Sequence, residues 1–305
     1  MKNPKFNPKA ITVWMLDSLP SIEQINAAAQ EFVAKGCQGL ATESIGLTKV
    51  PGVVCNLVED ISGVWLMHAR KERRILPGSV VQARADEMAE KFERETGMKP
   101  GKKMRKSLKD DALAELIPKA FVRASVIPMW ISVKHRMLFI ATTSSKLSDE
   151  LLTILSGCMP GVRMKQMSHA VAPHKVAALM ADMMGGESPA NLVADRCCQL
   201  SGTVGDKVSV VTIKDAALSS EPITDLLSAG QHPTRLKMTW NERLTFTLTN
   251  DLKLTGLKMS GVIPSDIDPK DIAGYLTIIN AELAQAVADL SAALGFELDS
   301  IYPEA

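Results

Sequence analysis

The chain has few aromatic residues. Seven Phe, four Trp and two Tyr make up 4% of its 305 residues. Proteins that read single strands by stacking bases interleave aromatics with basic residues, and no aromatic lies between Lys99 and Lys109, the most basic stretch here. Cysteine is equally uninformative. Cys37, Cys55, Cys158, Cys197 and Cys198 are odd in number and contain no C-x-x-C pair, so neither a disulfide framework nor a zinc knuckle is indicated, and a cytoplasmic setting is expected. Apolar runs such as residues 11–16 are far short of the roughly 20 residues that cross a bilayer. The basic N-terminus leads into a strand-like segment with no small-residue cleavage pattern, so no signal peptide is expected.

Catalytic signatures are missing too. Residues 97–103, Gly-Met-Lys-Pro-Gly-Lys-Lys, imitate a phosphate-cradling loop, but only three residues separate the glycines and Lys103 stands where a metal-binding hydroxyl is needed. The five histidines are scattered, and the nearest pair, His169 and His174, straddles Pro173. There is no G-x-S-x-G elbow, and Glu59-Asp60 and Asp110-Asp111 are isolated acidic pairs. The reading assigns no catalytic residue, metal ligand or cofactor.

What is present is segregated charge. Lys99, Lys102, Lys103, Arg105, Lys106 and Lys109 fall between Glu95 and Asp110 with no acid among them, a local charge of +6. Residues 70–136 hold 17 Lys or Arg against 9 Asp or Glu, whereas the whole chain is only +1. Such a run is either a solvated helix face or a surface for an anionic partner, and a phosphate backbone is the obvious one.

Hydrophobic residues make up 46% of the chain, enough for a real core. Strand-like segments at 10–16, 53–58, 64–68, 126–133, 137–142, 162–167, 208–213, 235–240, 244–249 and 252–259 alternate irregularly with helical ones. The helical segments are 21–35, a helix opened by Ser79, one from about 103 to 123 kinked at Pro118, 148–157, 173–184, 221–229 and 269–294. The fold class is α+β, with a basic helical excursion at 76–125 expected to protrude as a hairpin. Gly185-Gly186-Glu187-Ser188-Pro189 is the most linker-like spot, so a subdomain boundary is expected near 185–190.

Four motifs stand in order: Ala69-Arg-Lys-Glu-Arg-Arg-Ile-Leu-Pro77, Ser107-Leu-Lys-Asp110, Leu116-Ile-Pro-Lys-Ala-Phe-Val-Arg123 and Met129-Trp-Ile131. Together with the weaker but collinear Leu236-Lys-Met-Thr-Trp240 and residues 252–258, they resemble the bacterial recombination-associated RdgC family over essentially the full length, residues 1–305. That resemblance implies an α+β homodimer closed into a ring that encircles duplex DNA without base specificity, opposes RecA and sits in the cytoplasm with the nucleoid. It places DNA contacts at Arg70, Lys71, Arg73, Arg74, Lys109, Lys119 and Arg123, beside those the charge run suggests. Phe121 and Lys214 fall at subunit contacts, although Asp215 and Ala216 follow Lys214 where the family carries a further basic and polar pair. Two rivals stay open: a metal-dependent nuclease or other DNA-processing enzyme, and a basic module for an acidic protein partner. Single-stranded DNA stays open as a second ligand.

Overall fold

A computed structural model of the chain describes residues 6–49, 56–204, 207–259, 262–263, 268 and 271–298. The chain divides into two compact units. The first comprises residues 1–29, 49–67 and 128–305; the second comprises 30–48 and 68–127. The first half of the chain contributes β1 (Ala10–Leu16), α1 (Ile22–Ala29), β2 (Glu43–Thr48), β3 (Val58–Ile61), β4 (Val64–Ile75), α2 (Gly78–Thr96), α3 (Lys102–Leu116), β5 (Phe121–Ser132) and β6 (Met137–Ile140). Then follow α4 (Ser145–Cys158), β7 (Met164–Gln166), α5 (Pro173–Met184), β8 (Leu192–Val204), β9 (Lys207–Ile213), α6 (Glu221–Ser228), β10 (His232–Trp240), β11 (Leu244–Thr249), β12 (Leu254–Met259) and α7 (Ile272–Ala293). The class is α+β. The chain passes between the units inside β4, after Met67, and inside β5, after Ile127.

In the first unit the strands run in the order β3-β4-β5-β6-β1-β12-β11-β10-β8-β9, with β7 beside β1, and the assigned ladders are antiparallel. β1 is buried from Ile11 onward, as a strand with neighbours on both edges should be. It pairs Trp14 with Leu138 of β6, Ile11 with Leu254 of β12 and Met15 with Lys165 of β7. Trp130 stacks on Phe139 at 5.1 Å, and Phe6 meets its edge at 5.3 Å. α7 seals this core with Leu276, Ile279, Leu283, Val287 and Leu290, all buried, and Asp271 caps it by accepting from Gly274 N–H at 2.9 Å.

Several expectations are corrected. The helix expected over 21–35 ends at Ala29 and tightens into a 3₁₀ turn, Gln30–Phe32, because the chain beyond it is drawn to β2, where Ala34 N–H donates to Leu47 O. The hairpin expected across residues 59–63 turns on Ser62-Gly63 alone, both at positive φ, as a two-residue loop requires; its first three residues, 53–55, lie outside the described residues. Gly78, not Ser79, begins α2, and Pro77 at the N-cap has no side chain to cap with. Helix α3 stops at Leu116 instead of bending at Pro118, and after the turn Ile117–Lys119 the chain enters β5. Phe121 and Arg123 are therefore strand residues. β8 and β2 were not expected at all. Residues 185–190 lie inside the first unit, between α5 and β8.

The second unit holds β2, the distal parts of β4 and β5, α2 and α3. β2 pairs with β4 from Glu43 opposite Arg73 to Thr48 opposite His68. Gly46 is needed there: a Cβ would come within 2.6 Å of the Ala34 backbone. Helices α2 and α3 share a thin apolar seam of Val81, Ala85 and Ala112, edged by Leu76, Met88 and Leu116. Gly97 ends α2 in the left-handed region at φ 71°, with its N–H on Glu93 O at 2.8 Å.

His68 on β4 is 4% exposed and neither ring nitrogen has a hydrogen-bond partner among the described residues. Burial therefore pushes its pKa down from 6.5 to about 4. The unfolded chain takes up this proton first, so the His68 contribution is constant above pH 6.5, falls as pH drops toward about 4, and is flat below. That window corresponds to roughly 3 kcal/mol. Urea unfolding across it should show a steeper acid loss for the native chain than for His68→Leu, which cannot take the proton; parallel losses would mean that His68 is hydrated.

Candidate nucleic-acid interface

The charge run splits between the loop before α3 and the first half of that helix. Lys99 lies in the loop; Lys102, Lys103, Arg105, Lys106 and Lys109 lie on α3, and all six are exposed. Lys102, Lys106 and Lys109 stand at i, i+4 and i+7, which puts them on one face of the helix. Among the described residues none of the six forms an ion pair. Arg105 donates from Nε to Pro100 O at 3.2 Å, and although it lines a hollow of about 390 Å³ with Asp86, Glu90 and Glu93, it forms no ion pair with them.

The helix carries its charge the wrong way round. Its N-cap is Gly101, without a side chain to accept from the open first-turn N–H groups, and its first turn holds Lys102 and Lys103 at the positive end of the backbone dipole. Asp110, Asp111 and Glu115 occupy the second half, toward the negative end. Like-charged pairs such as Lys102 and Lys106 cost a further few tenths of a kcal/mol each. An anion near residues 99–109 would relieve both terms at once, and a helix N-terminus offers it open N–H groups as well.

The basic residues of β4 have a different environment. Arg70 meets Glu72 at 2.6 Å, while Lys71 and Arg73 both lie 3.5 Å from Glu43 on the neighbouring strand. Arg74 is a brace: Nη2 donates to Cys37 O at 2.9 Å and Nη1 to Ile117 O, tying β4 to the loop before β2 and to the turn after α3. Lys119 pairs with Glu115 at 3.1 Å, and Arg84 reaches the same carboxylate at 2.9 Å. Lys119 first and Arg84 second hold the Glu115 carboxyl below the usual carboxylate range.

The first six residues of β5, 121–126, are exposed on both faces of the strand. Phe121 is 85% exposed, with Arg123 and Ser125 on the same side; Val122 and Val126 are exposed on the other. Arg123 forms no ion pair among the described residues. The second unit thus brings together every expected DNA-contacting residue and Phe121, and it carries 16 Lys or Arg against 11 Asp or Glu. Lys214 is elsewhere. It follows β9 in the first unit and lines a hollow of about 310 Å³ with Arg235 and Lys237, next to Asp215, which pairs with Arg196 at 3.2 Å.

Sequence reasoning missed a groove in the first unit where α5 meets the start of β10, with His174, Gln231, His232 and Asn250 on its walls. These residues come from positions some 60 or more apart in the chain. The only local hint is a His beside a Pro at both Pro173-His174 and His232-Pro233. Among the described residues, no three or more His, Cys, Asp or Glu side chains gather as a metal site. No described helix is long and apolar enough to cross a membrane.

A mixed α+β chain with a cation-rich second unit is matched over residues 9–297 by the family model described as "Putative exonuclease, RdgC". The chain belongs to the RdgC family. Among curated relatives, the recombination-associated protein RdgC of Paraburkholderia phymatum is 30% identical over 285 residues, covering 92% of each chain. The protein of that name from Aeromonas hydrophila is 29% identical over 292 residues, 92% of this chain and 94% of that one. That from Dechloromonas aromatica is 27% identical over 252 residues, 79% and 82% of the two chains. The relatives' names speak of recombination and the family description of an exonuclease.

The brace role of Arg74 is separable from any ligand contact. Arg74→Met should lower unfolding stability by about 1–3 kcal/mol, since two backbone carbonyls lose their donor, and leave the salt dependence of any anion binding unchanged. Thermal unfolding and a salt titration read the two effects; a flattened salt slope at native stability would make Arg74 a contact residue instead.

Proposed function

We propose that this chain is a DNA-binding homodimer that acts in recombination by occupying duplex DNA and so opposing RecA. On this reading it works in the cytoplasm with the nucleoid and without catalysis. The observation that carries the reading is the set of six exposed cations over residues 99–109, without a counter-charge among the described residues, on a helix whose own dipole disfavours them. The names of the relatives support the recombination setting. Sequence-independent contact follows from long, flexible lysines with no aromatic and no Asn or Gln among residues 99–109 to read base edges.

The exonuclease in the family description is the second reading. It predicts metal-dependent loss of nucleotides from linear duplex, whereas simple occupancy predicts retention of intact DNA under the same conditions. An acidic protein partner, the third, predicts that an acidic polypeptide displaces DNA at equal charge.

Binding carried by phosphate contacts should weaken linearly on a log–log salt plot, by about 0.9 per phosphate neutralised. Changing Lys102, Lys103, Arg105 and Lys106 together to Ala should flatten that slope, and unrelated duplexes of equal length should bind within a few fold. An unchanged slope would make the run a solvated face. A large exposed ring among charges suits a subunit contact, so Phe121→Ala should stay folded by circular dichroism while losing about 1–3 kcal/mol of dimer stability. It should also slip from linear DNA more readily than from closed circles. A variant still dimeric at high dilution would remove Phe121 from the contact.

A further inference from the structure

In the first unit, α5 and the start of β10 enclose the groove of about 450 Å³ noted above, within the range of sites that hold a compact ligand. Its helix side is a run of small side chains, Ala177, Ala178 and Ala181, which lets another backbone come close. Its sheet side contains Gln231, which is 9% exposed. The Gln231 Oε1 has no hydrogen-bond partner among the described residues, a condition that costs stability in a buried carboxamide.

That side chain is held where it is. Gly202, inside β8, faces it, and a Cβ there would stand 3.2 Å from the Gln231 Cα and Cδ and 3.3 Å from its Cγ. Glycine inside a strand weakens the strand, so its position here is accounted for by the space it leaves to Gln231. An amide without a partner, seated by a neighbouring glycine in the wall of a groove, is the signature of a group that awaits a ligand.

We propose that this groove binds an uncharged, apolar peptide segment of a partner protein, with a peptide group of the segment hydrogen-bonded to the Gln231 carboxamide. A carboxamide offers one acceptor and paired donors, the complement of a peptide unit. Asn250 supplies a second at the rim. No Lys, Arg, Asp or Glu lines the groove, so a nucleotide phosphate finds no cation and a basic segment finds no carboxylate. The alanine side accommodates one branched aliphatic side chain, and the rings of His174 and His232 flank the entrance. This site is independent of the cation run in the second unit.

The test is methyl NMR of the full chain labelled at alanine, with N-acetyl-leucine N-methylamide as the peptide probe and thymidine and deoxyadenosine as competing chemistries. The leucine amide at millimolar concentration should shift the Ala177, Ala178 and Ala181 methyls saturably. Gln231→Met should weaken that binding about tenfold, the value of one good hydrogen bond. Ala178 is exposed, so Ala178→Phe should fold normally and close the groove. Both variants should bind duplex DNA as the native chain does. The proposal is overturned by the absence of a saturable shift, by an equal shift in Gln231→Met, or by nucleosides moving these methyls while the leucine amide does not.

Discussion

The second unit depends on where its carboxylates are spent. Glu43 lies between Lys71 and Arg73, Glu72 holds Arg70, and Glu115 holds both Arg84 and Lys119. On α2, Glu87 and Glu95 turn to Arg84 and Lys91 of their own helix. Arg74 is occupied by carbonyl oxygens. The cations of residues 99–109 are left facing water with their mutual repulsion unrelieved, and the α3 dipole adds to it. Exposed ion pairs such as those on β4 are individually worth little. Their importance here is selective: they divide residues that look alike in sequence into those already satisfied and those that attract an outside anion.

Much of this was legible in the chain, for identifiable reasons. β1, α5 and the meander of β10 and β11 follow strong local periodicity, and Ala10–Leu16 and Pro173–Met184 have the extents their patterns imply. The charge run was visible because charge is a property of residue types and needs no geometry. β8 was hidden because its alternation of Leu192, Ala194, Cys198 and Leu200 is interrupted by Asp195-Arg196, near which the pairing with β10 shifts register. Residues 120–123 misled for the opposite reason. They extend a helical pattern past Pro118, yet Phe121 and Arg123 end on a strand because the proline and the turn Ile117–Lys119 stop the helix.

The site was legible as a list and not as a division of labour. Nothing local distinguishes Arg73 from Arg74, yet one lies on an exposed ion pair and the other braces two loops. The distinction arises from residues 31 to 43 positions away, Glu43, Cys37 and Ile117, brought near by β2 and the end of α3. The groove holding Gln231 has the same character, since Gly202 and Ala178 acquire meaning only once β8, α5 and β10 are assembled.

The account rests on residues 99–109 meeting phosphate. Hydrogen exchange read with and without a duplex of mixed sequence addresses this directly, because the first-turn amides of α3 are unprotected by capping and destabilised by Lys102 and Lys103. Duplex should slow exchange across residues 99–109, and added salt should reverse the effect. Protection that appears only in other segments, or that persists at high salt, would contradict the account.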